Sequence, residues 1–155
     1  MNYARVQKEV LAKLTKDPNA VVHCLTTDGR VCYVLDDQIG YIVPSDTNWI
    51  AVDKIMREVQ LTSLRLPSCT ADQLLTQTDS LLDSDGCLLR ELHKTHANGR
   101  TVQVYIQEKH LKNFDNPVLY QDADARRGII AIRENDPLAG DQLVGFVMPF
   151  VPAEK

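Results

Sequence analysis

Two short apolar segments, 105 positions apart (144 minus 39), share one order of residue types. Residues 39–44 read Ile-Gly-Tyr-Ile-Val-Pro and residues 144–149 read Val-Gly-Phe-Val-Met-Pro. Short runs that are rich in branched and aromatic side chains, and that end at a proline, are typical of strands near the centre of a sheet. The pattern therefore predicts two buried strands, over 39–43 and 143–148, and an internal duplication of the chain.

The chain before the first apolar run shows a helical pattern, followed by an extended one. Val6, Val10, Leu11 and Leu14 recur at helical spacing, which predicts an amphipathic helix over 3–15. Two β-rich runs then flank an Asp-Gly pair, a strong hairpin signal because glycine takes the positive φ that such turns need. The sequence thus predicts a three-stranded antiparallel meander over 21–25, 31–35 and 39–43.

The rest of the chain adds helices and a second meander. Helical spacing predicts a helix over 48–60, and a capping-box pair, Thr70 with Gln73, predicts another over 71–78. The further expected elements are a hairpin of 87–94 and 101–106, a short basic helix over 107–114, and strands over 118–120, 128–133 and 143–148.

Together these elements predict an α+β fold in one domain spanning 1–155. Two half-repeats, 3–60 and 102–150, would each consist of a helix followed by an antiparallel meander, with a helix–hairpin segment between them. The expectation is three or four short helices on one curved sheet, or on two sheets, of roughly eight strands. Whether the two halves share a continuous sheet is left open.

Composition and charge narrow the functional classes. The 155 residues are 44% hydrophobic and carry a net charge of −4, which argues against a non-specific nucleic-acid coat. No stretch approaches the ~20 apolar residues of a membrane span, and no secretory signal is recognised, so a cytoplasmic protein is expected. Positive charge nevertheless concentrates in residues 2–16, where four cations oppose Glu9, and in 107–114, where two oppose Glu108.

No catalytic, metal or cofactor signature accompanies this pattern. The glycines form no phosphate-binding loop, and no nucleophile–base motif occurs. His93 and His96 have no third metal ligand near them in sequence, and the aspartates of 79–86 do not match a calcium loop. The four cysteines lack metal-binding spacing and are expected to be free thiols, although Cys24 and Cys32 would face each other across the first hairpin in a redox alternative. The sequence therefore predicts no catalytic residue, no metal and no cofactor.

The C-terminal third resembles a known family. Residues 102–114, Val-Gln-Val-Tyr-Ile-Gln-Glu-Lys-His-Leu-Lys-Asn-Phe, and the chain onward to Val147-Met148-Pro149, are similar to the last repeat of a bacterial DNA sliding clamp. The resemblance implies helices that contact the DNA backbone through lysine and arginine without reading sequence. Carried over to this chain, it implies DNA-facing roles for Arg5, Lys8, Lys13, Lys109 and Lys112.

The chain is shorter than a clamp subunit. By the family's repeat count a ring would need about six copies, so a homo-oligomer is one expectation. The other is an accessory protein of a phage or bacterium that works through protein contacts. The leading hypothesis is a non-enzymatic, clamp-like protein that touches duplex DNA or replication proteins. The rival is a small protein-interaction or regulatory domain with no nucleic-acid role, and a small-molecule enzyme with a loop-built site is the weakest of the three.

Overall fold

A computed structural model describes residues 1–17, 22–27, 29–51, 65–122 and 127–152, with residues 22–27 described by their backbone alone. Helix α1 spans Tyr3–Lys16, and short 3-10 helices span Ala71–Gln73 and Glu108–Asn113. The strands are β1 Val22–Thr27, β2 Arg30–Leu35, β3 Ile39–Pro44, β4 Leu74–Ser84, β5 Cys87–Thr95, β6 Thr101–Gln107, β7 Val118–Gln121, β8 Ile130–Asp136 and β9 Gly140–Val147.

All nine described strands belong to one antiparallel sheet in the order β1-β2-β3-β9-β8-β7-β4-β5-β6. The two predicted halves of the chain share a continuous sheet, because β3 pairs with β9. The chain after β9 also reaches β6 at the edge of the sheet, where the Phe150 N–H donates to the Tyr105 carbonyl at 2.7 Å. The Met148 N–H donates to the Gln38 carbonyl of the β2–β3 turn at 2.7 Å.

The two Gly-aromatic segments are neighbours at the junction of β3 and β9. Gly40 pairs with Phe146, and Tyr41 pairs with Gly145. The buried strand predicted over 39–43 is confirmed. Of the strand predicted over 143–148, residues 144–147 are buried, whereas Leu143 is half-buried and Met148 is exposed and follows the end of β9.

Tight turns built from aspartate and glycine connect the strands of the hairpins. Asp36 and Asp37 between β2 and β3 have φ of 53° and 54°, and Asp85 and Gly86 between β4 and β5 have φ of 52° and 77°. Positive φ at both central residues is the type I′ geometry, which matches the right-handed twist of paired strands. The predicted meander over 21–43 and the predicted hairpin of β5 and β6 are confirmed.

Both faces of the sheet centre are covered. Val6 and Val10 of α1 join Tyr33, Tyr41 and Phe114 in the larger core cluster. The opposite face carries a smaller cluster of Cys32, Val34, Ile42 and Phe146, with Leu66, Ile129 and Leu143 packed against it. Helix α1 follows from its apolar stripe, and its N-terminus is capped by Asn2, whose Oδ1 accepts from the Arg5 N–H at 3.0 Å.

The predicted α+β class with three or four helices is wrong. The described residues form mostly antiparallel sheet, with α1 as the one α-helix and two short 3-10 helices besides. The helix predicted over 71–78 stops after one turn: Gln73 Oε1 does accept from the Thr70 N–H at 3.2 Å, but Leu74 is already extended and begins β4. The basic helix predicted over 107–114 is a 3-10 helix.

Part of one prediction lies outside the described residues. Of the helix expected over 48–60, residues 48–51 are irregular and 52–60 are not described.

The register of the first hairpin separates its two cysteines, because Cys32 pairs with Leu25 and Cys24 pairs with Tyr33. Cys69 and Cys87 are free thiols. Within the described part of the chain, no helix has the length and apolar character needed to cross a membrane.

Candidate nucleic-acid interface

Helix α1 and the 3-10 helix Glu108–Asn113, although about a hundred residues apart in sequence, lie side by side. The Asn2 N–H donates to the Asn113 carbonyl at 3.0 Å. Asn113 is 1% exposed, and its Nδ2 donates to Glu9 Oε2 at 2.7 Å and to the Tyr41 hydroxyl at 2.9 Å. One buried amide therefore ties the two helices to β3.

The alternation of apolar and basic residues in the 3-10 helix sets which side chains point outward. Leu111 packs against the core and Phe114 is buried in it, its ring centroid 5.5 Å from that of Tyr41. Lys109 and Lys112 are exposed. Leu111 and Phe114 therefore face the core, while the two lysines face solvent.

A cleft of about 410 Å³ lies between the two helices and the β2–β3 turn. Four lysines line it: Lys13 and Lys16 from α1, and Lys109 and Lys112 from the 3-10 helix. Three carboxylates, those of Glu9, Asp17 and Asp36, line it as well. We call the cleft together with the exposed face of α1 the basic surface.

Two of the four lysines have carboxylate partners. Lys13 Nζ lies 2.9 Å from Asp36 Oδ1, and this hydrogen bond raises the pKa of Lys13. Lys112 Nζ lies 3.7 Å from Glu9 Oε2. Within the described part of the chain, Lys16 and Lys109 form no ion pair. With four lysines and three carboxylates, the lining of the cleft has a formal net charge of +1.

His110 lies at the bottom of this cleft and is 7% exposed. Burial, followed by the charge of Lys109, lowers its pKa to about 4, and Lys112 acts in the same direction. Glu9 and Asp36 oppose the shift only partly. The imidazole is consequently neutral at physiological pH and adds no charge to the basic surface there.

The structure brings together part of the residue set that the sequence predicted. Lys13, Lys109 and Lys112 line the cleft, whereas Arg5 and Lys8 lie outside its lining, on the exposed face of the first two turns of α1. Sequence reasoning counted Lys16 in the basic segment but did not select it. Its spacing from Arg5, Lys8 and Ala12 follows one side of a helix, and that periodicity could have identified it. His110 gave no signal beyond its position between two lysines.

Other polar groups are weaker candidates for a functional site than the basic surface. His93 Nε2 lies 2.7 Å from Glu91 Oε1, and the Tyr105 hydroxyl lies 3.4 Å from Glu91 Oε2, but none of these three residues lines the basic cleft. A second cleft, of about 570 Å³, contains Arg30 and Arg133, and Arg133 is bound to Asp141 at 2.8 Å. Among the residues described, no three His, Cys, Asp or Glu side chains are grouped so that they could hold a metal ion.

Comparison of the chain with protein-family models, with curated proteins and with solved structures finds no match in any of the three.

Proposed function

We propose that this protein is a non-enzymatic, clamp-like protein whose basic surface contacts the backbone of duplex DNA. One observation carries the proposal: folding joins the two basic segments of an acidic chain into a single surface. Six cations, namely Arg5, Lys8, Lys13, Lys16, Lys109 and Lys112, face three carboxylates there. The remainder of the chain holds the negative excess.

The chemistry of the surface suits phosphates more than bases. Lysine and arginine neutralise phosphates without reading sequence, and release of condensed counterions supplies the affinity. The four cleft lysines come from two helices that the hydrogen bonds of Asn113 join, so their backbone positions are set before binding. The contact should therefore be insensitive to base sequence and strongly sensitive to salt.

Replication proteins are the further partners we propose, and the cytoplasm is the proposed location; both are the expectations from sequence. Its rival is a protein-interaction domain without a nucleic-acid role. The two differ in one property, because only the first predicts an affinity for duplex DNA that falls steeply as salt is raised.

The test is fluorescence anisotropy of a labelled duplex of about 20 base pairs, titrated at salt from ~50 to ~200 mM. The wild-type slope of log K against log salt should be about −3 to −5, as expected for several phosphate contacts. Lys16→Glu with Lys109→Glu should weaken binding at least about tenfold and lower the slope by about two, one for each lost contact.

The matched control is Arg100→Glu with Arg127→Glu, which changes the net charge equally at two exposed arginines outside the cleft. The control should retain most of the affinity. Absence of binding at ~50 mM salt would favour the rival, and an equal loss in both double variants would show that only overall charge matters.

A further inference from the structure

Strand β4 extends well beyond its neighbour on one side. It has eleven residues, but β7 pairs only with its first two, Leu74 and Leu75. From Thr76 onward, β5 is its one strand neighbour within the described part of the chain. In an antiparallel strand alternate residues turn their N–H and C=O groups to opposite sides, so the outer edge of β4 presents backbone groups that no other described strand pairs with.

A bulge divides this edge. The register with β5 shifts between Gln77 and Leu81, and inside the shift the Ser80 N–H donates to Thr78 Oγ1 at 3.1 Å. Regular pairing with β5 resumes at Leu81 and continues to Ser84. The regular part of the free edge is therefore residues 81–84.

Exposed leucines surround this edge. Leu81 is 48% exposed, Leu82 is 39% exposed, and Leu88 on the facing strand is 47% exposed. Leu81 and Asp83 lie on one face of the strand and Leu82 on the other, because side chains alternate. Leu88 pairs with Asp83, so it shares the face of Leu81. Three large apolar side chains thus stand in solvent at one hairpin.

The hairpin is held in place from its base. Arg90 Nε and Nη2 donate to the two carboxylate oxygens of Glu108 at 2.8 and 2.7 Å, and Arg90 Nη1 donates to the Thr78 carbonyl at 2.9 Å. The Asp85–Gly86 turn closes the other end. A partner segment would therefore meet an edge that is already ordered, which lowers the entropy lost on binding.

Charge indicates which partner fits. Asp79, Asp83 and Asp85 are exposed around the leucines, and Arg90 of the facing strand is engaged by Glu108. Edge-to-edge pairing of two copies would bring two sets of these aspartates together, and like charges across paired strands are destabilising. The surface suits a segment of opposite charge.

We propose that the edge of β4 at residues 81–84 binds an extended segment of another protein in which an apolar residue and a lysine or arginine stand two positions apart. The segment would add a strand to the sheet, with an apolar side chain against Leu81 and a basic one, two positions away, against Asp83. Strand addition of this kind takes affinity from backbone hydrogen bonds and specificity from alternate side chains. The inference does not depend on the proposed contact with DNA.

The probe is a capped decapeptide, Val-Thr-Lys-Thr-Val-Thr-Lys-Thr-Val-Thr, in which valine and lysine stand two positions apart on one face. It is titrated at ~150 mM salt into the full chain and followed by amide chemical shifts, which should concentrate at residues 79–90. The same peptide with glutamate in place of each lysine should bind at least about tenfold more weakly. N-methylation of alternate residues on the bonding edge of the lysine peptide should abolish binding, because it removes the donors that pair with β4.

Two exposed substitutions, Leu81→Ser and Asp83→Asn, should each weaken the lysine peptide at least about threefold, and asparagine keeps the oxygen that accepts from the Gly86 N–H. Their controls are Leu138→Ser, at a leucine that is 99% exposed in the β8–β9 turn, and Asp46→Asn, at an exposed aspartate after β3. Unchanged thermal unfolding would show that the variants fold. Binding that survives N-methylation, or a wild-type dimer that Leu81→Ser dissociates, would overturn the proposal.

Discussion

At the scale of single residues, the centre of the sheet depends on two glycines. A Cβ atom on Gly40 would lie 2.2 Å from the ring of Phe146, and one on Gly145 would lie 2.4 Å from the Gly40 carbonyl oxygen. The Phe146 ring thus occupies the space that a side chain at position 40 would need. Close approach of β3 and β9, rather than an unusual φ, explains both glycines.

Gly40→Ala should therefore destabilise the fold by about 1 to 3 kcal/mol, the usual penalty for overpacking a filled core. Phe146→Ala removes the clashing ring, so Gly40→Ala should cost much less in that background. Urea unfolding of the two single variants and the double variant would measure the coupling between them. Strictly additive effects would show that the glycine and the ring are not in conflict.

At the scale of elements, the joint between α1 and the 3-10 helix encloses His110 and makes stability depend on pH. An imidazole in the unfolded chain titrates near 6.5, whereas burial lowers the pKa of His110 to about 4. Between these values the unfolded chain binds more protons than the folded one, so stability falls as the pH is lowered through this window.

His110→Gln should remove about 2 kcal/mol of the stability difference between pH 7.5 and pH 5, measured by urea unfolding at both values. His96→Gln is the control, because His96 lies in the β5–β6 turn away from this joint. A pH dependence that is the same in wild type and His110→Gln would show that the imidazole does not become buried in its neutral form.

The elements that could be predicted from sequence are those with strong local signals. The periodic stripe of α1, the Asp-Gly and Asp-Asp turns, and the branched residues of β2 and β3 all act over a few positions. Strand β4 could not be recognised, because the Thr70–Gln73 capping pattern forms a real turn whose continuation is decided by pairing with distant strands β5 and β7. Tertiary pairing overrides the local preference there.

The basic residues could also be predicted from local sequence, but the carboxylates that form ion pairs with them could not. Lys13, Lys109 and Lys112 follow from local charge counts. Their counter-charges depend on the fold: Asp36 reaches Lys13 from the β2–β3 turn, and Glu9 reaches Lys112 across the helix joint. Which lysines stay free was therefore decided by packing between distant segments.

At the scale of the whole molecule, the sheet order has an internal symmetry. Strands β1-β2-β3 and β7-β8-β9 run outward in opposite directions from the β3–β9 junction. The pairs Gly40–Phe146 and Tyr41–Gly145 exchange under a shift of 105 residues and reversal of the strands. The same operation relates α1 to the 3-10 helix, since each precedes a three-strand meander. Duplication of the chain stays a prediction, and the strand order supports it.

This arrangement concentrates positive charge at the joint between the two halves and leaves the acidic β4–β5 hairpin as a separate surface. We expect that a single copy of the chain can bind DNA, because one copy carries all six cations of the basic surface. The two proposed activities would then use different surfaces and could operate together.

The most direct measurement of the central claim is an amide NMR titration of the full chain with a duplex of about 20 base pairs at ~50 mM salt. Phosphate contact should shift or broaden signals in residues 3–17 and 107–114 while the β4–β5 hairpin stays unchanged, and added salt should reverse the effect. Unchanged spectra, or changes centred on residues 79–90, would contradict the assignment of the basic surface to DNA.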